Sequence, residues 1–254
     1  MVRRLRVDRF LANMGCGSRN EVKRMLHSGK VVVNGVIVKD ETRRITPQSD
    51  QVVCLGELIP YREFIYLMLN KPAGVVSATE DLQEHTVLDL VADKYRNLGL
   101  FPVGRLDKDT EGLLILTNNG DLGHRLLAPK KHVPKRYYAQ IAGKVGDEDI
   151  AAFQAGVVLE DGYRTMPAKL EIIGSSGLAG MQSEADAQSE IVIEIHEGKF
   201  HQIKRMMQAL GKQVIYLKRI AMGDLTLDPA LSPGEYRELS EQEIKRLAGS
   251  DALS

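Results

Sequence analysis

The sequence predicts helices and strands mixed in two domains, a small basic one at the N-terminus and a larger body behind it. Three observations lead there. Apolar residues recur at helical spacing in some stretches, while β-branched runs bounded by Gly, Pro and Asn mark others as strands. The 254 residues are 43% hydrophobic and 27% charged, which suits a folded globular chain of one large or two smaller domains and excludes a disordered one. Net charge is zero, yet residues 1–50 hold 11 Lys and Arg against 5 Asp and Glu, leaving 23 against 29 in the remainder. A basic arm on a mildly acidic body is the pattern of a segment that faces a polyanion.

No apolar run approaches the ~20 residues that span a bilayer. The start, Met-Val-Arg-Arg-Leu-Arg, is too charged for a secretory signal. A cytoplasmic protein with no membrane partner is therefore expected. Two cysteines, Cys16 and Cys54, exclude a disulfide framework and a multi-cysteine zinc site, and read as small buried thiols.

In the first segment, Val7, Phe10, Leu11 and Met14 share one helical face, and Gly15-Cys16-Gly17 ends that helix. Ser18 with Glu21 forms a capping box for a second helix that buries Val22, Met25 and Leu26 and stops at Gly29. Asn34-Gly35 between Val31-Val32-Val33 and Val36-Ile37-Val38 predicts a hairpin. Arg9, Arg19, Lys23, Arg24 and Lys30 lie on the polar faces. For any one of them a solvated surface is the plainer reading, but as a group they favour contact with phosphates. Val52 to Leu55 reads as a strand, and Gly56 and Pro60 bracket a linker, which puts the domain boundary at 1–60 and 61–254.

In the body, Ile65 to Asn70 reads as a buried strand broken at Lys71-Pro72, and Thr86 to Val91 as the start of an amphipathic helix. Phe101 to Gly120 reads as a polar loop bearing Arg105 and Asp107, then a buried strand over Leu113–Leu116 closed by Asn118-Asn119-Gly120. A short helix is expected from Asp121 to Leu127. Pro129 to Arg136 holds four basic residues and His132, the pattern of a phosphate-contacting loop, and Tyr137 to Ile141 is strand-like. Gly174 to Glu190 has no apolar period and reads as a loop between strands. Ile191 to Ile195 is a strand. From His201 a helix buries Ile203, Met206, Met207 and Leu210 and ends at Gly211, and Ser240 with Glu243 caps a last helix.

Several of these strings resemble known families. RVDRFLANMGCGSRNEVKRMLHSGKVVVNG, over residues 3–50, is similar to an S4 RNA-binding domain. GRLDKDTEGLLILTNNG closely resembles the signature of pseudouridine synthases of the RsuA/RluB/RluE/RluF branch. Asn70-Lys71-Pro72-Ala73-Gly74, Lys135-Arg136-Tyr137 and Gly198-Lys199-Phe200-His201-Gln202-Ile203-Lys204-Arg205-Met206 resemble that family's other motifs, as do the C-terminal strands through Leu231-Ser232-Pro233-Gly234-Glu235-Tyr236-Arg237. The resemblance implies an α+β catalytic domain with a large, mainly antiparallel sheet and a central cleft behind the S4 module. It implies Asp107 as nucleophile, Tyr137 (or Tyr138, if the register slips by one) as the stacking residue, and Lys204 (or Arg205) as the cation paired with Asp107. Ile203 would lie beneath the base, with Arg105, Lys135 and Arg205 binding substrate.

The reaction so implied converts uridine to its isomer, so no cofactor is expected. The sequence has no phosphate loop and no Gly-x-Gly-x-x-Gly. His196-Glu197 and His201 miss the His-Glu-x-x-His zinc spacing by one position, so no metal is expected either. The expected partner is rRNA or a ribosomal assembly intermediate, met by a monomer. The Met-Leu-Asn-Lys-Pro strand, the Pro-x-x-His before the tyrosine and the closing Leu-x-Pro-Gly-Glu-Tyr-Arg look most like the small-subunit type, which points to uridine 516 of 16S RNA. Alternatives are a large-subunit (23S) synthase of the same branch and a non-catalytic rRNA-binding or assembly factor. A glycosidase using Asp107 and Asp109 is disfavoured, because two carboxylates two residues apart in a turn do not fix the separation that chemistry needs.

Overall fold

A computed structural model describes residues 4–96, 98–128, 131–176 and 188–248. Packing divides the chain into two compact units. One gathers residues up to Ile65 with Leu88–Phe101 and Thr117–Asn119; the other holds the rest.

In the first unit, β1 (Leu5–Arg6) runs into α1 (Val7–Asn13), followed by α2 (Arg19–His27), β2 (Val31–Val33), β3 (Val36–Ile37), β4 (Arg44–Ile45), β5 (Val52–Cys54) and β6 (Glu57–Leu58). The capping box is present in full. Ser18 Oγ accepts from Glu21 N at 3.3 Å and Glu21 Oε2 accepts from Ser18 N at 2.8 Å. Val7, Phe10, Leu11, Val22 and Leu26 are buried against Val31, Val33, Ile45 and Val52, and Met14 and Met25 pack partly buried at the margin. Each full burial of such a side chain stabilises by about 1.5–3 kcal/mol, so this apolar set holds two short helices that would not persist alone. The hairpin turns at Asn34 (φ 52°) and Gly35 (φ 80°), the left-handed pair a two-residue turn requires. Strands order as β3-β2-β5-β6, all antiparallel, and β1 pairs with β4.

The expected linker at Gly56–Pro60 is corrected here. Gly56 lies in a second hairpin, and β6 pairs with β5, with Ile59 N donating to Val52 O at 2.8 Å. Glycine and proline mark turns as readily as linkers, and the strand beyond Gly56 is too short to show a period.

The second unit is built on β7 (Tyr66–Lys71), β8 (Phe101–Pro102), β9 (Glu111–Thr117), β10 (Lys135–Ala142), β11 (Lys169–Ser176), β12 (Gln188–Ile195), β13 (Gln213–Met222), β14 (Leu225–Thr226) and β15 (Tyr236–Glu238). They form one nine-stranded sheet ordered β11-β12-β10-β13-β9-β7-β15, with β14 on β13 and β8 on β9. The recorded pairs are antiparallel, except β13 with β9, which run parallel. The helices are α3 (Asp93–Arg96, grouped with the first unit), α4 (Gly120–Leu127), α5 (Asp147–Ala155), α6 (Gln202–Ala209) and α7 (Glu241–Ala248). Leu113 to Leu116 are wholly buried, as a strand covered on both faces requires. Among the described residues no helix is long and apolar enough to cross a membrane.

Two further expectations are corrected. Thr86–Val91 forms turns, not a helix. Val87 N donates to Val76 O and Val76 N to His85 O, so a strand-like bridge satisfies this backbone while Val87 and Val91 still bury. The stretch Gly174–Glu190 is strand at both ends. Gly174, Ser175 and Ser176 pair with Glu190, Ser189 and Gln188. Ladder bonds need no apolar side chains, so pairing here left no period in the sequence. Residues 177–187 lie outside the described residues.

Candidate active site

Asp107 sits on the loop before β9, and that loop is tied down from below. Ser77 Oγ accepts from Leu106 N at 3.0 Å and donates to Leu106 O at 2.9 Å, so one hydroxyl satisfies both backbone groups beside Asp107. Lys71, wholly buried at the end of β7, donates to Pro72 O (2.9 Å), Thr110 O (2.9 Å) and Lys108 O (3.3 Å). Burial pushes the Lys71 ammonium down to about 8, against the opposing pull of Asp109, Asp107 and Glu111. Gly74 N adds a bond to Lys108 O at 2.8 Å. A side chain on a loop is held more precisely when the loop's supports are this specific.

Two groups reach Asp107 from the start of α6. Lys204 Nζ lies 3.3 Å from Oδ2, and His201 Nε2 lies 3.5 Å from Oδ1. Lys204 also bonds both oxygens of Asp109, at 2.6 and 2.8 Å, and this bond holds the Asp109 carboxyl below the usual range. One lysine thus serves two carboxylates and is closer to the outer one. His201 caps α6 with φ 48°, in the left-handed region, and its ring stacks on exposed Phe200 at 3.7 Å. A non-glycine residue there is uncommon and is held by its surroundings.

Tyr137 comes from β10, opposite Ile193 of β12 and Arg219 of β13. Strand alternation turns Tyr137 and Lys135 to one face and Tyr138 to the other. Tyr138 packs edge-on to Tyr216, and Tyr137, not Tyr138, lines the crevice beside Asp107. A crevice of about 80 Å³ is lined by Arg105, Asp107, Thr110, Tyr137, Ile203 and Lys204, with Ile195 and Leu217 as apolar walls. Beside it a cavity of about 460 Å³ shares Arg105, Tyr137, Gly198 and Lys199 and adds Lys135, Tyr163 and Arg219.

Other expected residues lie differently. Arg205 is committed to Asp161 at 2.6 Å, which removes it as a partner of Asp107, because side chains of adjacent helix residues diverge. Arg105 is exposed on the crevice wall and, among the described residues, forms no ion pair with Asp107. In the first unit Arg9, Arg19, Arg24 and Lys30 are exposed, and Lys23 is paired with Glu41 at 3.0 Å. Pro129 and Lys130 of the basic loop lie outside the described residues. The sequence reading gave no role to Lys71, Ser77, His201 or Arg219. Lys71 and His201 stand inside quoted motifs, the one signal that could have flagged them.

Comparisons with known proteins agree with this geometry. A family model described as RNA pseudouridylate synthase matches residues 65–209, and an S4 domain model matches residues 5–52. The chain is 49% identical over 243 residues to an uncharacterized RNA pseudouridine synthase, YtzG, of Bacillus subtilis, covering 96% of this chain and 98% of that one. It is 37% identical to ribosomal small subunit pseudouridine synthase A of Vibrio cholerae (94% and 98% covered) and 36% identical to ribosomal large subunit pseudouridine synthase B of Bacillus subtilis (95% of each). A crystal structure of a pseudouridylate synthase superposes with a TM-score of 0.63 at 35% identity, covering 96% of this chain and 99% of that one. The chain belongs to the RNA pseudouridylate synthase family, with an S4 domain ahead of the catalytic fold.

Proposed function

We propose, from that membership, that the chain isomerises one uridine of small-subunit (16S) rRNA, uridine 516, to pseudouridine, with Asp107 as the nucleophile. The observation that carries this reading is the crevice itself. Side chains from three distant stretches, Asp107, Tyr137 and Lys204, line one small space. The target base leaves its stack, at a cost of a few kcal/mol, and lies against Tyr137 with Ile203 beneath it. Asp107 attacks the ribose C1′ and the bond to N1 breaks. The base turns and C5 joins C1′ as the Asp107–C1′ bond breaks and frees the carboxylate; the C5 proton then leaves and N1 gains one, so atoms balance with no added reagent. Lys204, with Nζ 3.3 Å from Asp107 Oδ2, holds that side chain toward the sugar. Residues 1–60 act as the RNA-binding domain of the catalytic body 61–254, with Arg9, Arg19, Arg24 and Lys30 contacting phosphates.

The choice of the small subunit rests on motifs, because relatives named for either subunit are about equally similar. The Met68-to-Pro72 strand and the Leu231-to-Arg237 segment behave as one unit. Tyr236 pairs with Leu69, Asn70 Nδ2 donates to Leu231 O at 2.8 Å, and Gly234 N donates to Asn70 O. Mapping pseudouridine in 16S and 23S RNA of a deletion strain tests the reading. Loss of a single 16S site is expected. Loss confined to 23S overturns the substrate, and loss in neither overturns rRNA as the target.

A further inference from the structure

The larger cavity is not needed for the chemistry at Asp107, yet it opens beside it. At about 460 Å³ it falls within the ~300–1,000 Å³ range of small-ligand pockets. Two of its cations are at least nine-tenths buried. Arg219 donates from Nε to Leu113 O at 2.7 Å, while its Nη2 has no hydrogen-bond partner among the described residues. Lys135 donates to Val133 O at 2.7 Å, and burial together with Arg219 pushes it down to about 8. Arg105 and Lys199 stand on the same walls, the latter with Nζ 4.8 Å from the Tyr163 ring centre. The one carboxylate among the described lining residues is Glu197. It already accepts from Tyr163 OH (2.7 Å), Met166 N (2.9 Å) and Gln202 Nε2 (2.9 Å). His196 turns its Nδ1 to His132 O. Buried cations that repel each other, one with an unused N–H, are costly unless an anion joins them.

The geometry points to a phosphodiester subsite in this cavity: Lys135 and Arg219 bind the phosphate that joins the target uridine to its neighbour, and the neighbouring nucleoside follows it in, against Tyr163. Register supports this. Tyr137, the wall against the target base, sits opposite Arg219 and two residues from Lys135 on the same strand face. The two spaces share Tyr137 and Arg105, so an RNA strand with its uridine at Asp107 has these two residues beside its path. The inference rests on the proposed RNA substrate and extends it to a second nucleotide. It makes Lys135 and Arg219 binding residues, outside the chemical step.

The test is calorimetric titration of the full-length protein with uridine, its 3′- and 5′-monophosphates, the dinucleoside phosphate UpU and inorganic phosphate. Tritium release from C5-labelled rRNA is measured on the same preparations. One monophosphate, whichever side the chain enters from, and UpU should bind at least about tenfold tighter than uridine, the equivalent of 1.4 kcal/mol. That gain should shrink to under about threefold in Arg219→Gln and in Lys135→Met. Lys135→Met decides the matter if Arg219→Gln fails to fold through loss of its bond to Leu113. A phosphate that adds nothing, or a gain that survives in both variants, overturns the subsite and leaves the isomerase reading intact. Inorganic phosphate binding as tightly as the monophosphate also overturns it, since the cavity would then hold a free anion. Absent tritium release with the gain intact would instead refute the isomerase reading and leave the subsite standing.

Discussion

Gly112 offers the sharpest test of how the site is held. It is the second residue of β9, five residues beyond Asp107, at φ 101°, and pairs in parallel register with Arg219 of β13. A Cβ built there lies deep inside van der Waals contact with Arg219 O, 2.8 Å from Arg219 N and 2.9 Å from Lys218 Cγ. Both close backbone atoms belong to the partner strand, so no side-chain rotation relieves the overlap. Gly112→Ala therefore forces the two strands about 1 Å apart or abandons the pairing. The backbone conformation costs an alanine about 1–3 kcal/mol, and overpacking adds about 1–3 kcal/mol. Together, a loss of roughly 2–6 kcal/mol lowers Tm by roughly 4–24 °C in a domain of this size. The shift also moves the Asp107 loop against α6, and a 1 Å misplacement of a reacting group costs on the order of a hundredfold in rate. Circular dichroism melts and tritium release, run side by side, measure both. A variant that melts within 3 °C of the wild type (a shift worth roughly 1 kcal/mol) and keeps its turnover would refute the account of why this motif carries glycine.

The remaining predictions concern charge. Lys204 is shared between Asp107 and Asp109. If its catalytic duty is to Asp107, Lys204→Met should lower kcat at least about a hundredfold, and Asp109→Asn less than about tenfold. Equal losses in single-turnover assays would move the duty to Asp109. Lys71 and Lys135 lose their protons at about 8 in the folded chain and near 10.5 when unfolded. Between those values the unfolded chain binds more protons, so stability rises with pH. From pH 7.5 to 9.5 the wild type should gain roughly 2 kcal/mol more than Lys135→Met. Parallel urea-unfolding slopes in the two proteins would contradict this.

Much of the fold was written locally. The Ser18–Glu21 box, the Asn34-Gly35 turn and the stripe of Ile203, Met206 and Met207 each encode bonds or burial within a few residues, and each forms as expected. What was hidden depends on partners far along the chain. Lys71 reads as a surface residue in any sequence, and its burial comes from Thr110, 39 positions away. Arg219 is drawn inward by Leu113, 106 positions away, and Ser77 by Leu106. The bridge that replaced the expected helix at Thr86 is likewise set by Val76, not by any local period. At the site, motif resemblance named Asp107, Tyr137 and Lys204 as candidates, and the three line one crevice. The sharing of Lys204 with Asp109 and the diversion of Arg205 to Asp161 appear only once the loops are placed in space.

The most direct test of the central claim is Asp107→Asn, assayed for tritium release from C5-labelled rRNA in a single-turnover experiment, with RNA binding followed by filter retention. The substitution is isosteric and removes only the charge and the nucleophilic oxygen. Release should fall to background while affinity for the RNA stays within about threefold, a difference below 1 kcal/mol. Turnover above background in that protein would take the reaction away from Asp107.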